Sequence, residues 1–402
     1  MKPPEQIRLP ERIQEVSVDS FGKEAGVLSQ PAQFQFQYSG ETPVSLTMDV
    51  RENPYNYGVI HPVFGQNLPE GYVRRYISEK LMRHADVNDL YLLAIQGDKG
   101  IGHLCFHSEL EITTGEKVSL DEILQWQGRE DLFPQLLDKY YLNGLLSGVQ
   151  PKVMVPTGER SVIAQSDLIV KTFDDEFDLL TVNEYVCMSA AKAAGLKPPQ
   201  FWLSEDQKCF VIERFDIQDG ERLGFEDFTV LMGKSNDQKY RSSYESLLTA
   251  VRNYTRSPDE LECAYWYIVF SCLIGNGDAH LKNFALQYNA SRDRLTLAPP
   301  YDITHTLIYD HLDKNMALKM RSSKSFPDQK TLRLLGEDFG IKKPAQVIEE
   351  IADSIQDYLD SSAEVELMPG LKDSIYKSLA KAQTGPTPVK TVRHDKHRKY
   401  PG

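Results

Sequence analysis

The stretch from Ser257 to Phe284 constrains this chain most, because it sets a long buried helix and fixes the point where a functional loop begins. Ser257, Pro258 and Glu260 stand as N-cap, first helical residue and third residue after the cap, the pattern of a capping box. Residues 264–274 are apolar on most faces, so the pattern predicts a helix enclosed by other elements. Gly275-Asn276-Gly277 ends it. The side chains that follow are then presented from a loop held by a rigid support, where binding and catalytic groups concentrate.

That loop carries Asp278 and, five residues later, Asn283. This is the catalytic-loop spacing of phosphotransferases, in which the Asp accepts the proton of an acceptor hydroxyl and the Asn oxygen holds Mg²⁺. A second carboxylate is needed, since Mg²⁺ takes hard oxygen ligands. Residues 295–302 pair as a hairpin with 284–288 across a turn at 289–294, and this returns Asp302 toward Asn283. Lys171, in a β-branched stretch at 167–173, fits the strand lysine that contacts nucleotide phosphates, and Glu184 on the next helix is its partner. Taken alone, an Asp and an Asn in a loop are ordinary turn formers. The order of strand lysine, helix glutamate, apolar hinge at 210–215, helix, loop and second Asp is what a kinase requires. His280 reads as a hydrogen bonder orienting the loop, ahead of a base or metal ligand.

Composition narrows the setting. The longest apolar run, 264–275, is about half of a bilayer span, and the first twenty residues lack an apolar core, so a cytoplasmic protein without membrane contact is expected. Five scattered cysteines without zinc-site spacing are expected to be reduced thiols. A net charge of −13 argues against a body that coats nucleic acid. Residues 390–399 are the exception, with five Lys or Arg against one Asp: either a solvated tail, or a phosphate-contacting tail beside a DNA-binding partner.

Local patterns give an α+β reading. Strands are expected at 34–40, 44–50, 91–97 and 102–107, with a helix over 73–84. Helices over 120–127 and 132–141 lead to a turn at 146–152 and an antiparallel meander at 153–156, 161–164 and 167–173. A helix then runs from after Asp178 to Gly195, a strand spans 208–215, and helices dominate beyond it. The expected organisation is a tail over 1–20, a small N-terminal α+β domain over 21–120, a strand-rich nucleotide-binding lobe over 121–217, a helical catalytic lobe over 218–383, and a basic tail over 384–402. The two lobes form a kinase-like cleft.

Ser147 to Lys152, Asn183-Glu184-Tyr185, Val211 to Asp216, Gly277 to Phe284 and Tyr301-Asp302-Ile303 together resemble the HipA family of serine/threonine kinases, toxins of HipBA-type modules, across about residues 20–380. The resemblance implies ATP and Mg²⁺ as cofactors, Asp278 as catalytic residue, and Asn283 and Asp302 as metal ligands. It implies ATP contacts from Lys171, His280, Lys282, the hinge Glu213-Arg214-Phe215, and a phosphate loop of Ser147, Gly148, Val149, Gln150 and Lys152, with Glu184 in support. Family members autophosphorylate a loop serine. Here Leu145 stands at the first serine position and Ser147 remains, where a phosphate would repel ATP by like charge. The family pattern further implies an aminoacyl-tRNA synthetase as protein substrate, and a helix-turn-helix antitoxin of HipB type through which DNA is met only indirectly. A small-molecule phosphotransferase of the aminoglycoside or choline kinase type, whose loop also reads Gly-Asp-x-His-x-x-Asn, and a catalytically silent repressor partner stand as alternatives.

Overall fold

From Glu15 to Ser20 buried and less buried side chains alternate with a period of two. The computed structural model describes residues 9–110, 118–128, 131–142, 161–165, 168–172 and 177–384; the expectations for 147–156 and for the basic tail lie outside them. Strands β1 (Glu15–Ser20), β2 (Lys23–Ser29), β3 (Phe34–Tyr38), β4 (Tyr55–Tyr57) and β5 (Leu104–His107) form an antiparallel sheet in the order β4-β3-β2-β1-β5. In β3, Phe34, Phe36 and Tyr38 are buried while Gln35 and Gln37 are not, as one buried sheet face requires. Helices α1 (Pro62–Gly65), α2 (Gly71–Leu81) and α3 (Asp89–Gln96) follow, and α3 packs on β1 and β5. Their core also takes in residues of α4 (Leu120–Leu124) and α5 (Leu132–Tyr141).

Two expected strands are not strands. Residues 91–96 belong to α3 and Gly97 is its C-cap; the Asn88 carboxamide caps the helix start by accepting from Tyr91 N–H, and every residue from Leu90 to Gln96 is buried. A run enclosed on all sides shows neither helical nor strand periodicity. Residues 44–50 form a turn with one bridge, Ser45 to Met48, because the Ser45 hydroxyl and Leu46 N–H are drawn to the Glu226 carboxylate at 2.6 and 2.8 Å.

A second antiparallel sheet, order β6-β7-β9-β8, consists of β6 (Ser161–Gln165), β7 (Leu168–Thr172), β8 (Phe201–Leu203) and β9 (Phe210–Glu213), with α6 (Leu180–Ala193) against β7, β8 and β9. The sheet lies between two cores. Val170 and Val211 join the N-terminal core, while Ile169, Phe210 and Ile212 join the larger core of the helical lobe. The strand period of two thus joins the N-terminal domain and the helical lobe to one sheet.

The rest is helical around a short sheet. After a ribbon of β10 (Ile217–Gln218) and β11 (Glu221–Arg222), strands β12 (Gly224–Asp227), β13 (Ala285–Tyr288) and β14 (Leu295–Leu297) pair antiparallel in that order. The β13–β14 hairpin has the register Leu286 to Leu297 and Tyr288 to Leu295. Helices α7 (Phe228–Leu231), α8 (Tyr244–Thr255) and α9 (Pro258–Ile274) precede the hairpin; α10 (Gln329–Asp338), α11 (Pro344–Ser361) and α12 (Leu371–Thr384) follow it. Helix α9 packs against α8, α11, α12 and β14. Its Tyr265, Tyr267, Ile268, Phe270, Leu273 and Ile274 are each at most 2% exposed. At about 1.5–3 kcal/mol per large buried side chain, this helix makes a fixed point for the loop that leaves it. Only half of its expected capping box forms. Ser257 Oγ accepts from Glu260 N–H at 3.3 Å, but the Glu260 carboxylate accepts from Leu297 N–H at 2.7 Å and so ties α9 to β14.

Candidate active site

The two glycines that end α9 are small for different reasons. Gly275 lies in the left-handed region at φ +80°, and a Cβ there would stand 2.7 Å from His305 Nδ1 and Ser378 Oγ. A Cβ on Gly277 would stand 2.7 Å from Thr306 Oγ1 and 2.8 Å from Asn315 O. The Gly277 N–H donates to Thr306 Oγ1 at 2.8 Å, and Asp278 N–H donates to Asn276 Oδ1 at 3.0 Å. A single 3₁₀ turn, Leu281–Asn283, then brings Asn283 round, with His280 N–H donating to Asn283 Oδ1 at 2.9 Å.

Behind the loop sits His305, fully buried, with Nδ1 2.6 Å from Ile274 O and Nε2 2.7 Å from Ser374 Oγ. A carbonyl can only accept, so Nδ1 carries the proton and Nε2 accepts from the serine hydroxyl. Burial lowers its pKa to about 4, and the neutral ring suits this pair of roles. Asn183 on α6 accepts from His305 N–H at 2.7 Å and donates to His305 O at 2.9 Å. Helices α6, α9 and α12 are thereby locked to the segment that carries Asp302.

In front of the loop, β7 presents Lys171. Its Nζ donates to Glu184 Oε1 at 2.5 Å, to Tyr301 O at 2.9 Å and to Asp302 Oδ1 at 3.2 Å. Asn283 Nδ2 donates to Asp302 Oδ2 at 2.5 Å. Lys171 is 8% exposed and Glu184 2%, so neither charge could stay there without the other. The cluster therefore joins a strand lysine, a helix glutamate, the loop amide and the post-hairpin carboxylate.

Asp278, earlier on the same loop, borders a cleft of about 510 Å³ that Thr306, Tyr309, Met316 and Lys324 also line. Its Oδ1 accepts from the Tyr240 hydroxyl at 2.9 Å. His280 is 6% exposed; burial depresses its pKa against the opposing pull of Asp278. Its ring meets Tyr240 edge-on at 5.1 Å.

Two expected ATP contacts have their side chains engaged elsewhere. The Arg214 guanidinium donates to Asp216 through Nε (2.9 Å) and Nη2 (2.5 Å), and to Gly100 O at 2.8 Å, which pins the lobe junction to the N-terminal domain. The Lys282 ammonium pairs with Glu70 at 2.5 Å, the residue before α2. In the hinge, Glu213 is exposed and Phe215 stacks on Tyr301 at 5.0 Å, while the Tyr301 hydroxyl donates to Lys282 O. Ser147, Gly148, Val149, Gln150 and Lys152 lie outside the described residues. Sequence reasoning missed Tyr240, Glu70 and His305.

Comparison with known proteins matches residues 16–107 to the HipA N-terminal domain and residues 144–360 to the HipA-like C-terminal domain. Two kinase-named proteins of Sinorhizobium fredii are similar. Y4dM is 26% identical over 296 residues, 67% of this chain and 68% of that protein. Y4mE is 27% identical over 308 residues, 69% of this chain and 72% of that protein. Among solved structures, HipA of Shewanella oneidensis, determined with HipB and its operator DNA, superposes with a TM-score of 0.67 at 17% identity, covering 92% of this chain and 100% of that one. At that identity the likeness is one of fold.

Proposed function

This chain belongs to the HipA family of kinase-type enzymes, and from that premise we propose that it transfers the γ-phosphate of ATP, with Mg²⁺, to a serine or threonine hydroxyl of a protein. The observation that carries the reading is the convergence of Lys171, Glu184, Asn283 and Asp302 in one hydrogen-bonded cluster, of which Asn283 follows Asp278 by five residues on the same loop. In this reading Asp278 takes the proton of the acceptor hydroxyl. Lys171 has three N–H donors, and its longest bond, 3.2 Å to Asp302, is the one a phosphate oxygen would replace while Glu184 keeps the ammonium in place. Asn283 Oδ1, with one lone pair left beside its bond from His280 N–H, and the Asp302 carboxylate, once released by Asn283 Nδ2, are hard donors that would suit Mg²⁺ and leave the rest of its shell to phosphate and water. When bound, the ion offsets charge that builds on the transferring phosphate.

The finer calls rest on the family. Ser147 is the proposed autophosphorylation site, an aminoacyl-tRNA synthetase the proposed target, and the cytoplasm the proposed location. A HipB-type antitoxin is the proposed partner, since the fold is shared with a HipA determined together with HipB and operator DNA. Among the described residues no helix is long and apolar enough to cross a membrane.

The test is incubation of wild type and Asp278→Ala with γ-labelled ATP and Mg²⁺, alone and with a bacterial lysate, followed by gel and mass spectrometry. Label on Ser147 or on a lysate protein, lost in the variant, is the expected result. Absence of protein label despite ATP binding would overturn the protein-kinase reading in favour of a small-molecule kinase or a silent partner.

A further inference from the structure

We propose that the Tyr240 hydroxyl occupies the acceptor position of this site, so that an incoming acceptor must displace it; this rests on the reading of Asp278 as the base. A base that deprotonates an acceptor must first accept a hydrogen bond from it. Tyr240 makes that bond already, its hydroxyl donating to Asp278 Oδ1 at 2.9 Å. Nothing in this contact resembles a buried support. Tyr240 is 40% exposed, and a hydroxyl at the surface exchanges its partner readily for water or another hydroxyl.

The chain on both sides is fixed while the ring is not enclosed. Leu281 N–H donates to Lys239 O at 3.3 Å, Tyr244 N–H donates to Lys319 O at 2.9 Å, and the buried Tyr244 hydroxyl donates to Ala279 O at 3.0 Å. Tyr240 therefore returns to the same place whenever the cleft is empty. It lines that cleft together with Asp278 and the apolar Phe177, Leu180 and Leu312. An acceptor entering there reaches Asp278 past the tyrosine.

Tyr240→Phe removes the hydroxyl and keeps the ring against His280. The experiment measures steady-state phosphate release from Mg²⁺·ATP, with water as acceptor, for wild type, Tyr240→Phe and Asp278→Ala. Tyr240→Phe is expected to raise kcat by about three- to tenfold, equivalent to roughly one exchanged hydrogen bond, with KM for ATP within about twofold of wild type. A kcat at or below wild type in Tyr240→Phe, with Asp278→Ala inactive, would overturn the proposal and leave Tyr240 as a support for the base. An active Asp278→Ala would instead remove Asp278 as the base and the proposal with it.

Discussion

Two ionic clusters stand at the junction of the lobes and use the same chemistry to opposite ends. In one, Asp216 is fully buried and takes three donors: Arg214 Nε, Arg214 Nη2 and Gly102 N–H, the last at 2.7 Å. In the other, Asp302 keeps 17% of its side chain exposed, and Lys171 and Asn283 reach one of its oxygens each. The first cluster is closed: Arg214 and the N-terminal domain's Gly102 N–H meet the Asp216 oxygens, Gly100 O takes a further Arg214 donor, and the cluster holds architecture. The second is less deeply buried, and its Lys171–Asp302 contact, at 3.2 Å, is longer than the rest. Exposure and contact length, and not charge, separate the two clusters.

The largest effect that would sharpen this contrast comes from the closed cluster. Asp216→Ala leaves the Arg214 cation buried without its partner, and about 3–5 kcal/mol of stability should be lost, read by denaturant unfolding. Asp302→Asn keeps the shape of its site but turns one accepting oxygen into a donor facing Lys171 or Asn283, and because Lys171 keeps Glu184 and Tyr301 O it should cost only about 1–2 kcal/mol. Equal losses in the two variants would erase the distinction.

A smaller effect concerns pH. Unfolded histidine titrates near 6.5, whereas buried His305 resists protonation until about pH 4. Between these values the unfolded chain binds a proton that the folded chain refuses, so stability falls as pH drops through 6.5 toward 4. His305 alone accounts for on the order of 2 kcal/mol at pH 5. His61 and His103, lowered by burial to about 4 and about 3, act in the same direction. Unfolding at pH 7.5 and pH 5 for wild type and His305→Gln checks it: the variant should keep less of the slope, and an unchanged slope would remove His305 from the closed networks.

What the sequence reveals here follows the separation of the partners. Helix α9, the β13–β14 hairpin and the spacing of Asp278, Asn283 and Asp302 are local, so caps, turn length and residue spacing were enough to read them. Lys171 and Glu184 were legible because a strand followed by a helix brings them together across a short connection. Other contacts have no local signature. Lys282 and Glu70 are 212 residues apart, Asn183 and His305 are 122 apart, and Tyr240 reaches Asp278 across 38. The misreading of α3 has a different cause: enclosure on all faces removed the periodicity that separates helix from strand.

The central claim is that Asn283 and Asp302 hold a magnesium ion against the phosphates of ATP. Calorimetric titration of ATP into wild type and Asp302→Asn, each with Mg²⁺ and with EDTA, tests it most directly. The account predicts that Mg²⁺ tightens ATP binding to wild type by about tenfold or more and has little effect on the variant. The same dependence on Mg²⁺ in both proteins, or none in either, would contradict it.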